Sequence, residues 1–140
     1  MIYRMPITTE GHHEWIRAMV ETGKVVQFVI LEKETSRPVG TTFLRDINYD
    51  HEKAEFGIFL GEETVMGFGY GTETAVLMVD YAFNTLKLHK IFLRFIATNT
   101  AAEKSYLKAG FIREAYLRDE VKIDGEFVDI ILMSIVKERR

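Results

Sequence analysis

The sequence predicts a single α/β (α+β) domain built on one mixed sheet. Three observations carry this expectation. Apolar runs of strand length, rich in Val, Ile and Phe, are interleaved with helical patterns. The first three strand-like runs follow one another across short polar turns, which favours an antiparallel meander. The third and fourth runs flank a helical segment, so these two strands should be parallel and joined by a right-handed crossover.

The elements follow in order. Pro6 and then Thr8 or Thr9 mark a helix start. Trp15, Ile16, Met19 and Val20 lie on one face of a helix over 8–22, which Gly23 closes. Residues 25–33 (VVQFVILEK) are β-branched and read as a strand, 34–40 as a turn, 41–48 as a second strand and 54–60 as a third. A helix over 72–86 puts Ala75, Val79, Ala82, Phe83 and Leu86 on one face. Residues 90–97 form a strand, and 100–110 a helix ended by Gly110. The last two strands, 111–123 and 126–136, meet across Asp124-Gly125, a strong hairpin dipeptide.

Composition narrows the function classes. A chain of 140 residues suits one domain spanning 1–140, and 47% hydrophobic residues can furnish a core. The net charge of −3, with both signs interspersed, argues against a dedicated nucleic-acid binder. The absence of cysteine excludes disulfides, thiolate metal sites and a cysteine nucleophile. His12, His13, His51 and His89 share no metal-ligand spacing, so no metal is expected. No apolar run reaches membrane-spanning length, and a soluble cytoplasmic protein is the expectation.

The stretch VMGFGYGTETA, residues 65–75, places Gly67, Gly69 and Gly71 at the mouth of a helix. Backbone N–H groups are unsatisfied there, and the helix dipole favours an anion. Without Cβ atoms, phosphate oxygens can approach the backbone closely. The stretch is neither a Walker loop nor the dinucleotide fingerprint, since no Gly-Lys-Ser/Thr follows and Thr72 stands where a third spaced glycine is required. An ordinary glycine-rich turn is the alternative.

Together with the order of elements, Met66-Gly67-Phe68-Gly69-Tyr70-Gly71 resembles the acetyl-CoA loop of the GCN5-related N-acetyltransferase (GNAT) superfamily, Gln/Arg-x-x-Gly-x-Gly/Ala. Met66 departs from the usual Gln or Arg, and Phe68 replaces a residue that is often basic. Residues 99–111, NTAAEKSYLKAGF, look like the family's Asn-x-x-Ala-x-x-x-Tyr-x-x-x-Gly-Phe signature. The pattern is most similar to the branch holding ribosomal-protein N-terminal, spermidine and amino-sugar acetyltransferases. The resemblance implies splayed central strands and direct transfer of acetyl from acetyl-CoA to a primary amine, a small molecule or a peptide N-terminus. It also implies a first strand and helix ahead of residue 8, for which the sequence leaves no room. A non-catalytic acyl-CoA-binding module of the same fold is the alternative reading.

Roles follow from the resemblance residue by residue. Tyr106 would reprotonate the departing thiolate; the alternative is a tyrosine packed on the sheet. Glu55 could deprotonate the amine, or simply pair with Lys53 or Arg45. Phe59 and Leu60 would run beside pantetheine through their backbone, with side chains in the core. Residues 66–72, ending at Thr72, would hold the pyrophosphate. Asn99 would hold the pantetheine arm or cap a helix. Apart from the resemblance, the acidic rim of the hairpin, with Glu114, Asp119, Glu120, Asp124, Glu126 and Asp129, would suit a cationic amine, or be a solvated face. Finally, the strand at 25–33 would be an apolar edge in need of cover, either by residues 1–7 or by a second subunit in a homodimer.

Overall fold

The computed structural model describes residues 2–6, 24–32, 35–61 and 69–138. Its centre is a seven-stranded sheet in the order β1-β2-β3-β4-β5-β7-β6. The strands are β1 (Ile2–Pro6), β2 (Val26–Glu32), β3 (Pro38–Asn48), β4 (Lys53–Leu60), β5 (Lys90–Ile96), β6 (Ile112–Ile123) and β7 (Glu126–Val136). β4 and β5 are the parallel pair, and the other neighbours run antiparallel. The meander, the crossover and the terminal hairpin all stand where the sequence puts them.

Helix α1 (Tyr70–Asp80) runs on into a π-helical turn over Tyr81–Thr85, and α2 (Thr100–Lys108) precedes β6. One side of the sheet, with Leu44, Phe56, Ile91, Leu93 and Met133, packs against Ala75, Met78 and Val79 of α1. Phe111, just after α2, joins the same core with 1% of its surface exposed. At the hairpin, Asp124 (φ 50°) and Gly125 (φ 81°) both adopt positive φ, as a two-residue turn of the primed type requires.

Two expectations need correction. The first strand, for which the sequence leaves no room by expectation, is present as β1, and it gives the β2 edge the cover expected of residues 1–7: it pairs with β2 from Ile2↔Glu32 to Pro6↔Phe28. Pro6 was read as a helix start. An edge strand tolerates proline, because the missing N–H is not needed on the outer side. The edge of β2 is therefore covered by the chain's own first residues. Similarly, β3 begins at Pro38, because Glu32 N–H donates to Arg37 O (2.9 Å) and Ser36 N–H to Glu32 O (2.8 Å), which tightens the turn. The helix expected over 8–22 lies outside the described residues.

Candidate active site

The site begins where the parallel pair comes apart. β4 and β5 pair at Lys53↔Lys90, Ala54↔Ile91 and Glu55↔Phe92 and no further, although both strands continue. β5 stays bound to β7 as far as Ile96↔Ile130. Beyond Glu55 one edge of β4 therefore has no strand partner, and a wedge opens between the strands.

Tyr106 of α2 sits at this wedge. Its ring lies 6.1 Å from Phe56 of β4, 5.8 Å from Phe95 of β5 and 6.0 Å from Phe111, measured between centroids. The tyrosine thus touches both diverging strands. Burial pushes its phenol pKa up from the ordinary value, so it carries its proton throughout the neutral range. Its hydroxyl has no hydrogen-bond partner among the described residues. The packed position foreseen as the alternative role describes the ring; the hydroxyl remains a free donor.

Asn99 caps α2: its side-chain oxygen accepts from Ala102 N–H at 3.0 Å. This satisfies one of the orphan donors of the first turn.

Of the glycine stretch, Met66, Gly67 and Phe68 lie outside the described residues. Gly69 is the N-cap of α1 with φ +72°, and among the described residues nothing lies within 4 Å of a Cβ built on it. That residue needs glycine for its left-handed backbone. Among the described residues no side chain caps this helix. Gly71 has a different cause: a Cβ there would come 3.0 Å from Ser105 Oγ on α2, so close helix approach favours glycine. Thr72 Oγ1 is engaged by the same serine, 2.9 Å from Ser105 Oγ and 3.2 Å from Ser105 O, to which it donates.

The side chain of Tyr70 turns into the fold. It is 3% exposed, packs with Ile30 and Val39, and donates its hydroxyl to Glu32 Oε2 at 2.8 Å. Leu60 packs on this cluster, as expected. Phe59 does not: it is 69% exposed, on the sheet side away from the helices, beside Phe43 at 6.1 Å. Residues alternate across a strand, and Phe56 and Ile58 already claim the helix side.

Glu55 makes the pairing with Arg45 foreseen as its alternative role, but as a buried carboxylate rather than a solvated one. Its side chain is 5% exposed and faces away from α1 and α2. Arg94 grips it twice, Nε to Oε2 at 2.8 Å and Nη2 to Oε1 at 3.0 Å, and Arg45 Nε reaches Oε1 at 3.3 Å. Burial pushes the carboxyl up, but the hydrogen bonds from Arg94 and then Arg45 outweigh it and hold the pKa below the usual carboxylate value. A carboxylate so held is a poor proton acceptor, and the role of amine base does not suit it. Arg94 was missed. It lies 39 residues from Glu55, and only the parallel register brings them together.

Among the described residues no group of three or more His, Cys, Asp or Glu could hold a metal ion, and no helix is long and apolar enough to cross a membrane.

Comparison with known proteins adds four findings. The family model described as acetyltransferase (GNAT) domain matches residues 1–112. The chain is 33% identical over 110 residues to the spermidine N(1)-acetyltransferase of Vibrio cholerae, covering 79% of this chain but only 63% of that protein's length. It is also 33% identical over 133 residues to the probable N-acetyltransferase YjcK of Bacillus subtilis, covering 92% of this chain and 73% of that one. Among solved structures, the spermidine/spermine N-acetyltransferase SpeG of Vibrio cholerae superposes with a TM-score of 0.80 at 30% identity, over 91% of this chain and 74% of that chain.

Proposed function

The chain belongs to the acetyltransferase (GNAT) domain family, and from that premise we propose that it moves an acetyl group from acetyl-CoA directly to a primary amine. The single observation that carries the reading is Tyr106, a protonated phenol held by three aromatic rings at the mouth of the β4–β5 wedge.

The described residues fit the co-substrate. Among the described residues nothing fills the space beside Gly69 and no side chain caps α1, and backbone N–H groups and the helix dipole at such an end favour a pyrophosphate. The unpaired edge of β4 from Phe56 to Leu60 offers its backbone to the pantetheine amides. Acetyl-CoA would supply the activated acyl group. Tyr106 would then give its proton to the sulfur leaving that group, a general-acid step. Thr72 and Asn99 serve the site by building it, Thr72 through α2 and Asn99 as its cap.

The acceptor approaches as a primary amine. The named activity of the Vibrio cholerae relative makes polyamines the first class to try, ahead of amino sugars and peptide N-termini. Thiol release from acetyl-CoA, followed across these three classes, tests the proposal. Turnover with at least one primary amine is expected. Tight acetyl-CoA binding without thiol release from any of them would favour the non-catalytic module instead.

A further inference from the structure

The wedge has two faces, and the same pair of strand positions serves both. On the helix side, Phe56 of β4 and Phe95 of β5 hold the Tyr106 ring. On the opposite side, the residues just before them, Glu55 and Arg94, close a bidentate ion pair. The pair stands at Glu55↔Phe92, the last rung of the parallel ladder. We propose that Arg94 is a positioning residue: through Glu55 it fixes where β4 and β5 part, and so sets the gap in which Tyr106 is held.

The physical case is as follows. Past Glu55 the ladder supplies no hydrogen bond to hold β5 against β4, so the separation of Phe56 from Phe95 needs another restraint. A guanidinium gives a directional one, because its planar fork meets both carboxylate oxygens at once. Glu55 is buried and pinned from the other flank by Arg45 of β3, so it is a fixed anchor rather than a swinging side chain. Buried ion pairs seldom add net stability over apolar replacements. What a charge kept there contributes is geometry. Reacting groups are sensitive to such placement, since a shift of about 1 Å can cost on the order of 10²-fold in rate.

This inference rests on the acetyltransferase reading, and the test separates the two. The variants are Arg94→Gln, Arg94→Lys, Glu55→Gln and the double Glu55→Gln/Arg94→Gln, which keeps a neutral hydrogen-bonding pair. The first readout is the tyrosine ring spectrum by NMR, with the Tyr106 signal assigned from Tyr106→Phe; it needs no turnover. Arg94→Gln should move that signal, Arg94→Lys should move it less, and the double variant should bring it back towards wild type. The second readout is kinetic. Arg94→Gln should lower kcat by about 10- to 100-fold with acetyl-CoA affinity within about threefold, and the double variant should recover most of the loss. A Tyr106 signal unmoved by Arg94→Gln overturns the inference whether or not the wild type turns over. So does a double variant as inactive as Glu55→Gln alone with the acidic limb of the pH profile gone, because Glu55 would then be the base. An absence of wild-type turnover beside a shifted Tyr106 signal would leave the clamp standing and overturn the proposed activity.

Discussion

A carboxyl as buried as that of Glu55 would by itself hold its proton, since burial penalises the charged form. Two guanidiniums reverse this and hold its pKa below the usual carboxylate value. The consequence for stability has a definite sign. A carboxylate with a lowered folded pKa contributes stability that is fully present above the unfolded value and is lost as pH falls through the folded one. Melting curves from pH 7 to pH 3 should therefore show the wild type losing stability more steeply below about pH 4.5 than Glu55→Gln/Arg94→Gln does. Glu32, Glu114 and Asp129 also carry lowered values, but they are common to both proteins and cancel in the difference. Parallel curves would mean that the pair contributes no net charge stabilisation. The sequence showed Glu55 two candidate partners, Lys53 beside it and Arg45 on the neighbouring strand. It could not show Arg94, whose approach depends on the register of a parallel pair joined through a helix.

Between elements, the contact of greatest consequence is that of α1 with α2. The glycine-bearing start of α1 and the helix carrying Tyr106 meet at Gly71, Thr72 and Ser105. Gly71 lies inside a helix, where alanine is favoured by about 1 kcal/mol. The crowding by Ser105 Oγ opposes that gain. In urea denaturation, Gly71→Ala should therefore stabilise a Ser105→Ala background by up to about 1 kcal/mol, and the wild type by less. Equal effects in the two backgrounds would show that the serine does not impose the glycine. The sequence made the three glycines look like one device. The structure gives Gly69 to backbone conformation and Gly71 to helix packing, a distinction that needs the neighbouring helix in place. Elements with local causes were legible: Asp124-Gly125 for the hairpin, Gly110 (φ +105°) for the end of α2, Asn99 for its start. β1 was not, because its five residues carry too little pattern and end in a proline that also reads as a helix start.

At the scale of the whole molecule, the described strands stay paired into one sheet while β4 and β5 part beyond Glu55, and the chemistry is proposed there. β1 covers the β2 edge, which removes the reason for a second subunit to pair at that position. β4 and β5 part where Glu55 and Arg94 clamp one face and Tyr106 enters from the other. The central claim is that the Tyr106 hydroxyl protonates the leaving sulfur, and Tyr106→Phe tests it most directly, because only that hydroxyl is removed and the aromatic packing remains. The measurement is kcat under conditions where chemistry limits the rate, alongside the Kd for acetyl-CoA. The account predicts that kcat falls by about 10²–10⁴-fold, as for loss of a general acid, with Kd nearly unchanged. An unchanged kcat would contradict it and leave Tyr106 as a packed ring of the core.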